Sequence, residues 1–374
     1  VNKKRVVLYI SPNGYLGGAE RFVITAAKNH KNFSSHVLFF QKGEATDEAQ
    51  GLNIPCSILE TKFKLTHPWK FLNALIEIRK IVKKINPDIV HFTMPYGQIT
   101  GSLALVGLKC SKVWFQHGPV GGLLDKVASL FSSDLILYNS QDLRQRHLCS
   151  VPVVRTRNEA VIHLGVNSDH NRKVFEGPII QIGTAGRMCS WKGFELSIMA
   201  LSALKKSGNL KAFHFHLAGE PKNSGDVAYF ENLKALTQNS NIQDEVTFHG
   251  HVSDTRSFYR GLDVFIHSSL IPEPFGLVVA EAMGSGCLVF GSNVGGVKDL
   301  LNDGITGFSF NSTGPNAVEE LKGKLKAVLD KEGPDQSLKF SKIASEGQDL
   351  IKIKYSISSM IDELEKLYQK LLTD

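Results

Sequence analysis

The chain has 374 residues, 42% of them hydrophobic and 21% charged, with 33 glycines and no low-complexity tract. No repeat recurs at roughly 20–50 residues, so disordered, collagen-like and solenoid chains drop out, and the length suits two domains with a core each. The formal charge is +7, yet residues 1–165 carry +10 and the remainder −3, an asymmetry that points to an anionic ligand or surface on the first half.

The basic start Lys3-Lys4-Arg5 leads into Val6 to Ile10 and stops at Ser11-Pro12-Asn13-Gly14. That reads as a first strand, not a signal peptide, and no run reaches the ~18 apolar residues of a membrane span. Further strand-like runs are Val37–Phe40, Ile89–Phe92, Val113–Gln116, Leu135–Tyr138, Ile179–Gly183, Phe213–Ala218, Val246–His249, Val264–His267 and Leu288–Phe290. Helical patterns lie between them, among them Ala19–Asn29, Trp69–Ile85, Phe194–Lys206, Tyr229–Asn239 and Phe275–Gly284. Alternating strand and helix is the signature of βαβ units on parallel sheets. The expected fold is therefore α/β, with two Rossmann-like doubly wound domains at 1–165 and 179–350. A linker is expected at 166–178, where Asn167 to Arg172 is polar and aperiodic, and a helix at 351–374 is free to cross back to the first domain. A cleft between the two domains is the default ligand site.

Between Thr61 and Lys84, seven basic residues interleave with Phe63, Leu65, Trp69 and Phe71 and with a helical row of Leu72, Leu75, Ile78 and Ile81. Interfacial helices carry this pattern, so an anionic membrane surface is a candidate partner of the first half. The five cysteines (56, 110, 149, 189 and 287) are scattered and form no C-x-x-C pair. Neither a disulfide framework nor a zinc knuckle is indicated, and a reducing, cytoplasmic setting is expected, with peripheral attachment to the cytoplasmic membrane face as its variant.

The densest motif is Pro272-Glu273-Pro274-Phe275-Gly276-Leu277, continuing to Glu281-Ala282-Met283-Gly284, directly after the run Val264–His267. Prolines on both sides keep Glu273 in a loop, while Phe275 to Gly284 can run as helix. A helix starting beyond the carboxyl end of a parallel strand aims its first amides, those of Phe275, Gly276 and Leu277, at the ligand crevice, where they can bind phosphate. From Gly276 to Glu281 the rise is about 8 Å, comparable to the span from a diphosphate to a ribose. Glu281 can then grip ribose hydroxyls while Glu273 stays near a sugar. Upstream, Gly183 to Gly193 carries Gly186, Arg187 and Lys192 between a strand and a helix. The planar fork of an arginine and the mobile charge of a lysine suit a diphosphate whose negative charge grows as a group departs.

Two glutamates eight apart arise often by chance, but the Phe-Gly-Leu core and the Glu-Ala-Met ending of this segment resemble the E-x7-E motif of retaining GT-B glycosyltransferases, in particular glycosyltransferase family 4. The Gly186-Arg187 and Lys192-Gly193 segment resembles the same family. So does Gly17-Gly18-Ala19-Glu20, matching its glycine-rich loop near donor phosphates and acceptor, and Gln116-His117-Gly118-Pro119, matching its histidine near the donor sugar. Gly219-Glu220 fits at the donor crevice and His249 to Val252 near the nucleobase, while Asn167 stands where the family usually has Asp. The resemblance implies the GT-B architecture, with the two domains facing each other across a deep cleft. It implies transfer from a nucleotide sugar, UDP- or GDP-linked by preference, to a hydroxyl of a glycan or lipid-linked acceptor in cell-surface polysaccharide or glycolipid synthesis. Configuration would be retained and no metal or other cofactor required. His117, Arg187, Lys192 and Glu273 would be catalytic; Gly17, Gly18, Gly186, Gly219, Glu220, Val252, Phe275, Gly276, Leu277 and Glu281 would bind donor.

Rival readings have less behind them. His214, His216, His249 and His251 form two H-x-H pairs, without a nearby cysteine or paired carboxylate. No Asp-x-Asp, G-x-S-x-G or H-E-x-x-H occurs, so metal-dependent transferases and hydrolases lack their motifs. A nucleotide-sugar epimerase, a phosphorylase on the same fold and a non-catalytic basic binding protein remain as alternatives; nucleic acid is not an expected partner.

Overall fold

In the computed structural model, which describes residues 4–168, 175–208, 210–331 and 336–373, strands and helices alternate from the first strand onward. Lys3 and residues 169–174 of the expected linker lie outside the described residues. The first stretch runs β1 (Arg5–Ser11), α1 (Gly18–Asn29), β2 (Phe33–Phe39), α2 (Glu44–Gly51), β3 (Cys56–Ile58), α3 (Pro68–Ile85), β4 (Ile89–Thr93), α4 (Met94–Ala104), β5 (Ser111–Gln116), α5 (Leu123–Ala128), β6 (Ser133–Tyr138), α6 (Gln141–Ser150) and β7 (Thr156–Val161). The second runs β8 (Ile179–Ala185), α7 (Phe194–Ser207), β9 (Ala212–Ala218), α8 (Ser224–Asn239), β10 (Val246–Gly250), α9 (Thr255–Arg260), β11 (Val264–His267), α10 (Leu277–Gly284), β12 (Leu288–Ser292), β13 (Phe308–Phe310), α11 (Ala317–Leu329) and α12 (Ser337–Lys354), before a last helix, α13 (Ile357–Leu371).

Two units result: Val1–Gly165 with Ile357–Asp374, and Val166–Ser356. The first holds a seven-stranded sheet in the order β3-β2-β1-β4-β5-β6-β7, the second a six-stranded sheet in the order β10-β9-β8-β11-β12-β13. Every strand pair in both is parallel, with Tyr9 of β1 opposite Val37 on one side and His91 on the other. Each sheet is thus a doubly wound Rossmann sheet, and the α/β expectation stands as the fold. The chain reverses its direction of growth between β1 and β4 in one sheet and between β8 and β11 in the other. Ligands of such sheets bind beyond the carboxyl ends of the strands at that switch point.

Local chemistry explains the boundaries. Pro68 opens α3 and Asn86, at φ 49, closes it, with Lys83 and Lys84 against the negative end of its dipole. Ser140, Asn223 and Asp254 cap α6, α8 and α9 by accepting from Leu143 N, Asp226 N and Ser257 N. Val7 to Ile10 and Val264 to Ile266 are buried throughout, as strands covered by helices on both faces must be.

Four expectations change. Strands β3, β7 and β13 are additional, and all three are sheet edges. Helix α10 starts at Leu277, not Phe275, because Gly276 takes a left-handed φ of 92 at its cap. The single tail helix is two, broken at Tyr355, whose ring is buried and whose hydroxyl donates to Asp299 O at 2.6 Å. The expected α3 row splits: Ile78 is buried with Ala74 and Val82, whereas Leu72 faces solvent beside Trp69 and Ile76. No helix among the described residues is long and apolar enough to cross a membrane.

Candidate functional site

In the second unit the loops after β8 and β11, on either side of the switch point, carry Gly186 to Gly193 and Ser268 to Gly276. Lys192 closes a single 3-10 turn, Ser190–Lys192, and its side chain is buried. Its ammonium donates to Glu273 Oε1 at 2.6 Å and lies 4.7 Å from the Trp191 ring centre. The same carboxylate oxygen accepts from His267 Nε2 at 2.8 Å and from Ser269 Oγ. An ionised carboxylate only accepts, so Nε2 of His267 carries a proton; Ser292 Oγ lies 2.9 Å from its Nδ1. Burial alone would raise the Glu273 carboxyl, but the charge of Lys192, His267 and their hydrogen bonds together hold it well below the usual carboxylate range. Three donors on Oε1 leave Oε2 with no bond among the described residues, on a side chain 12% exposed. The result is a fixed anion with one oxygen turned over to whatever enters.

The backbone of Glu273 is equally constrained. Gly296 N donates to Glu273 O at 2.8 Å, and a Cβ on Gly295, at φ 62, would run into the same carbonyl and lie 2.6 Å from Glu273 N. On Gly296 a Cβ would sit 2.5 Å from Pro274 O. His267, Ser269, Ser292, Gly295 and Gly296 escape the sequence reading. The pair Gly295-Gly296 just past β12 was the one available signal; a histidine ending a strand and two scattered serines carry none.

Phe275 is buried as a packing residue, its ring 6.1 Å from Tyr355. The first helical amides at α10 are those of Leu277 and Val278, without intrahelical acceptors. Further along this helix Glu281 is half-buried and accepts from Tyr259 OH at 3.0 Å. Gly186 and Gly219 bring the loops after β8 and β9 together: Gly186 N donates to Ala218 O at 3.0 Å, and a side chain on Gly219, φ 136, would collide with Gly186 O. Glu220 lies 3.9 Å from the ring of His251, and Val252 is half-buried after β10.

Arg187 does not join the Lys192–Glu273 pair. Its Nε donates to Asp226 Oδ2 at 2.7 Å at the start of α8, and its side chain is 41% exposed. The bond from Arg187 is the main cause holding Asp226 below the usual carboxylate range. The histidines of the two H-x-H pairs have separate partners: His216 Nδ1 is 2.9 Å from His249 Nε2, His214 Nε2 is 2.8 Å from Thr247 Oγ1, and His251 lies by Glu220. Among the described residues no cluster of three such side chains could hold a metal.

In the first unit, Gly17 and Gly18 open α1. Gly17 N donates to Glu20 Oε2 at 3.2 Å, while a Cβ on Gly18 would meet nothing within 4 Å. His117 follows β5 and is buried, its ring 3.9 Å from that of Phe115 and 5.0 Å from that of Phe22. Neither ring nitrogen has a hydrogen-bond partner among the described residues, and burial lowers its pKa to about 3.

Residues 16–170 match the model of glycosyltransferase family 4 and residues 167–346 that of the glycosyl transferases group 1. The capsular polysaccharide biosynthesis glycosyltransferase CapM of Staphylococcus aureus is 27% identical over 331 residues, 81% of this chain and 82% of that one. Mannosylfructose-phosphate synthase of Agrobacterium fabrum is 28% identical, but the match spans 40% of this chain and only 34% of the relative. Among solved structures, Anabaena HepE in complex with UDP and glucose superposes with a TM-score of 0.82 at 19% identity, covering 98% of this chain and all of the other. A glycosyltransferase from Rickettsia africae gives 0.83 at 24%, covering 99% of each.

Proposed function

We propose that this chain, which belongs to the GT-B glycosyltransferases of the group 1/family 4 type, moves a sugar from a UDP- or GDP-sugar to a hydroxyl of a glycan or lipid-linked acceptor, with retention of configuration. The observation that carries the reading is the Glu273 carboxylate, ionised and anchored through one oxygen at the switch point of the second sheet, with the other oxygen open. Oε2 accepts from a hydroxyl of the donor sugar and so orients the reacting carbon. Lys192, with three donors, keeps Glu273 and adds the diphosphate; Arg187 retains the part of its fork not spent on Asp226. The amides of Leu277 and Val278 complete the anion site, which stabilises the leaving diphosphate as its charge grows. Glu281 grips the ribose. Gly219, Glu220 and Val252 shape the donor site, and Gly17, Gly18 and His117 serve donor and acceptor from the first unit. In this scheme the diphosphate departs from the face that the acceptor enters and helps take up its proton.

Relatives named for capsule and lipopolysaccharide synthesis, and HepE with UDP or UDP-glucose, support a cell-surface role and a uridine donor. The protein side chains supply the cations, so metal independence is part of the proposal. Trp69, 79% exposed, with Leu72, Ile76 and Lys70, Lys80, Lys83 and Lys84 on α3, supports docking on an anionic membrane surface. Failure to co-sediment with anionic liposomes at low salt would remove that part.

The central test is a thermal-shift panel of UDP, GDP and ADP, followed by transfer assays with and without a chelator. A nucleotide at 100 times its Kd adds about 2.7 kcal/mol, and the shift is expected for UDP or GDP. Glu273→Gln should keep the shift and lose at least about 100-fold in kcat, as removal of one oriented polar group in a transition state does. Full activity in that variant would overturn the role of Glu273.

A further inference from the structure

The first unit holds a cavity of about 760 Å³ over the carboxyl ends of β1 to β4, where Pro12, Phe40, Ile58 and Met94 line it. Its wall is aromatic: the Phe63 ring stacks on Tyr96 at 5.7 Å and lies 5.4 Å from Phe40. Lys42, Lys62 and Lys64 also line it, and no acidic residue does. None of the three lysines has a carboxylate partner among the described residues, so their charges face solvent uncompensated.

Volume and lining together select a ligand class. Cavities of about 300–1,000 Å³ take molecules larger than one sugar ring. The wall has polar side chains in Asn13, Tyr15, Gln41, Tyr96 and the lysines, but along Phe40, Ile58, Leu59, Phe63, Met94 and Leu124 a buried carbohydrate would strand hydroxyls without partners. An apolar chain loses nothing on the same wall and gains by leaving water. Three lysines then fit an anionic head. The apolar surface continues outward. Leu124 lines the cavity beside Leu123, which is 78% exposed, and the Phe63 ring is 5.9 Å from that of Phe71, two residues from exposed Trp69.

We propose that this cavity binds an anionic amphiphile, a phosphate head at Lys42, Lys62 and Lys64 with its hydrocarbon chain along Ile58, Phe63 and Tyr96. This rests on the glycosyltransferase reading and names the acceptor class: a phosphorylated lipid that reaches the first unit from the membrane.

The test uses the full chain and decyl phosphate below its micelle concentration, measured by calorimetry. Decyl maltoside carries a decyl tail without the charge, and glucose 6-phosphate a charge without the tail. Saturable binding of decyl phosphate, weakened at least tenfold in the double variant Lys62→Glu, Lys64→Glu and again in Leu124→Asp, is expected; these side chains are exposed or nearly so, and unchanged melting without ligand verifies folding. Glucose 6-phosphate binding as tightly as decyl phosphate would overturn the proposal in favour of a phosphorylated sugar. Equal affinity for decyl maltoside, or decyl phosphate affinity unmoved in both variants, would overturn it as well. UDP and GDP titrated in turn into the same samples separate the two readings. Failure of both to bind the wild type would fall on the transferase assignment, whereas binding of either nucleotide without decyl phosphate binding would fall on the cavity alone.

Discussion

Oε1 of Glu273 accepts from an ammonium, an imidazole and a hydroxyl at once, and that crowding has a consequence for acid stability. The carboxyl is held well below its ordinary value when folded, against burial, by Lys192 and His267. A depressed acid pKa adds stability at every pH above the unfolded value of roughly 4.3, and the contribution disappears as pH falls through the folded value. Denaturant unfolding of the wild type should therefore steepen in its pH dependence below about pH 4, and Glu273→Gln should lack that component. Lys192→Met, which leaves the buried anion without its ammonium partner and with only the donors His267 and Ser269, should be more destabilising than Glu273→Gln at pH 7 in the same melts. Residues with an unusual type at an unusual place were legible from the sequence: a glutamate between two prolines, an arginine and a lysine between glycines. His267 and Ser269 were not, since their role comes from where β11 ends relative to Glu273, and that is a tertiary fact. Arg187 shows the converse, a cation singled out by type whose partner in the structure, Asp226, lies on a helix the sequence did not connect to it.

At the scale of elements, central strands announced themselves and edge strands mostly did not. Val7 to Ile10 or Val113 to Phe115 are continuous apolar runs because helices cover both faces. The three missed strands, Cys56–Ile58, Thr156–Val161 and Phe308–Phe310, are short or polar because one long side of each meets no partner strand. The start of α10 was misplaced because a glycine cap is a backbone choice that side-chain periodicity does not record. The seating of the Glu273 loop on the turn Gly295–Asp299 gives a direct test. Gly295→Ala should displace the loop and cut activity at least about tenfold, with a loss of stability of about 1 kcal/mol or more, because the residue needs φ 62 and has no room for Cβ. Gly323→Ala, inside α11 with nothing within 4 Å of the new atom, should instead leave activity alone and stabilise by up to about 1 kcal/mol.

For the molecule as a whole, the chain crosses from its first unit to its second at Gly165 and returns at Ile357 for one helix. Helix α13 is tied to the first unit by a buried polar network. Glu365 accepts from His30 Nδ1 at 2.9 Å, Lys31 N at 2.7 Å and Asn32 Nδ2 at 2.6 Å, and Tyr368 OH lies 2.5 Å from His91 Nδ1. Burial lowers the pKa of both His30 and His91, so each takes up a proton less readily when folded than when unfolded. An unfolded histidine binds a proton from about pH 6.5 downward, so the first unit should lose stability as pH drops through that value, the loss continuing to the depressed folded values. A chain ending at Ser356 would strip this network and uncover Tyr9 and Phe33, and its first unit should be cut by protease where the full chain resists.

That return also sets a schedule for synthesis. Residues 166–356 form an uninterrupted sequence that can acquire its structure as soon as it leaves the ribosome, whereas the portion made first must wait for the portion made last. At about 5–20 residues per second, the interval over roughly 200 residues is some tens of seconds, during which the earliest-made sheet stands with one flank bare. A chaperone that engages nascent chains should therefore be found on the amino-terminal segment for longer than on the middle one.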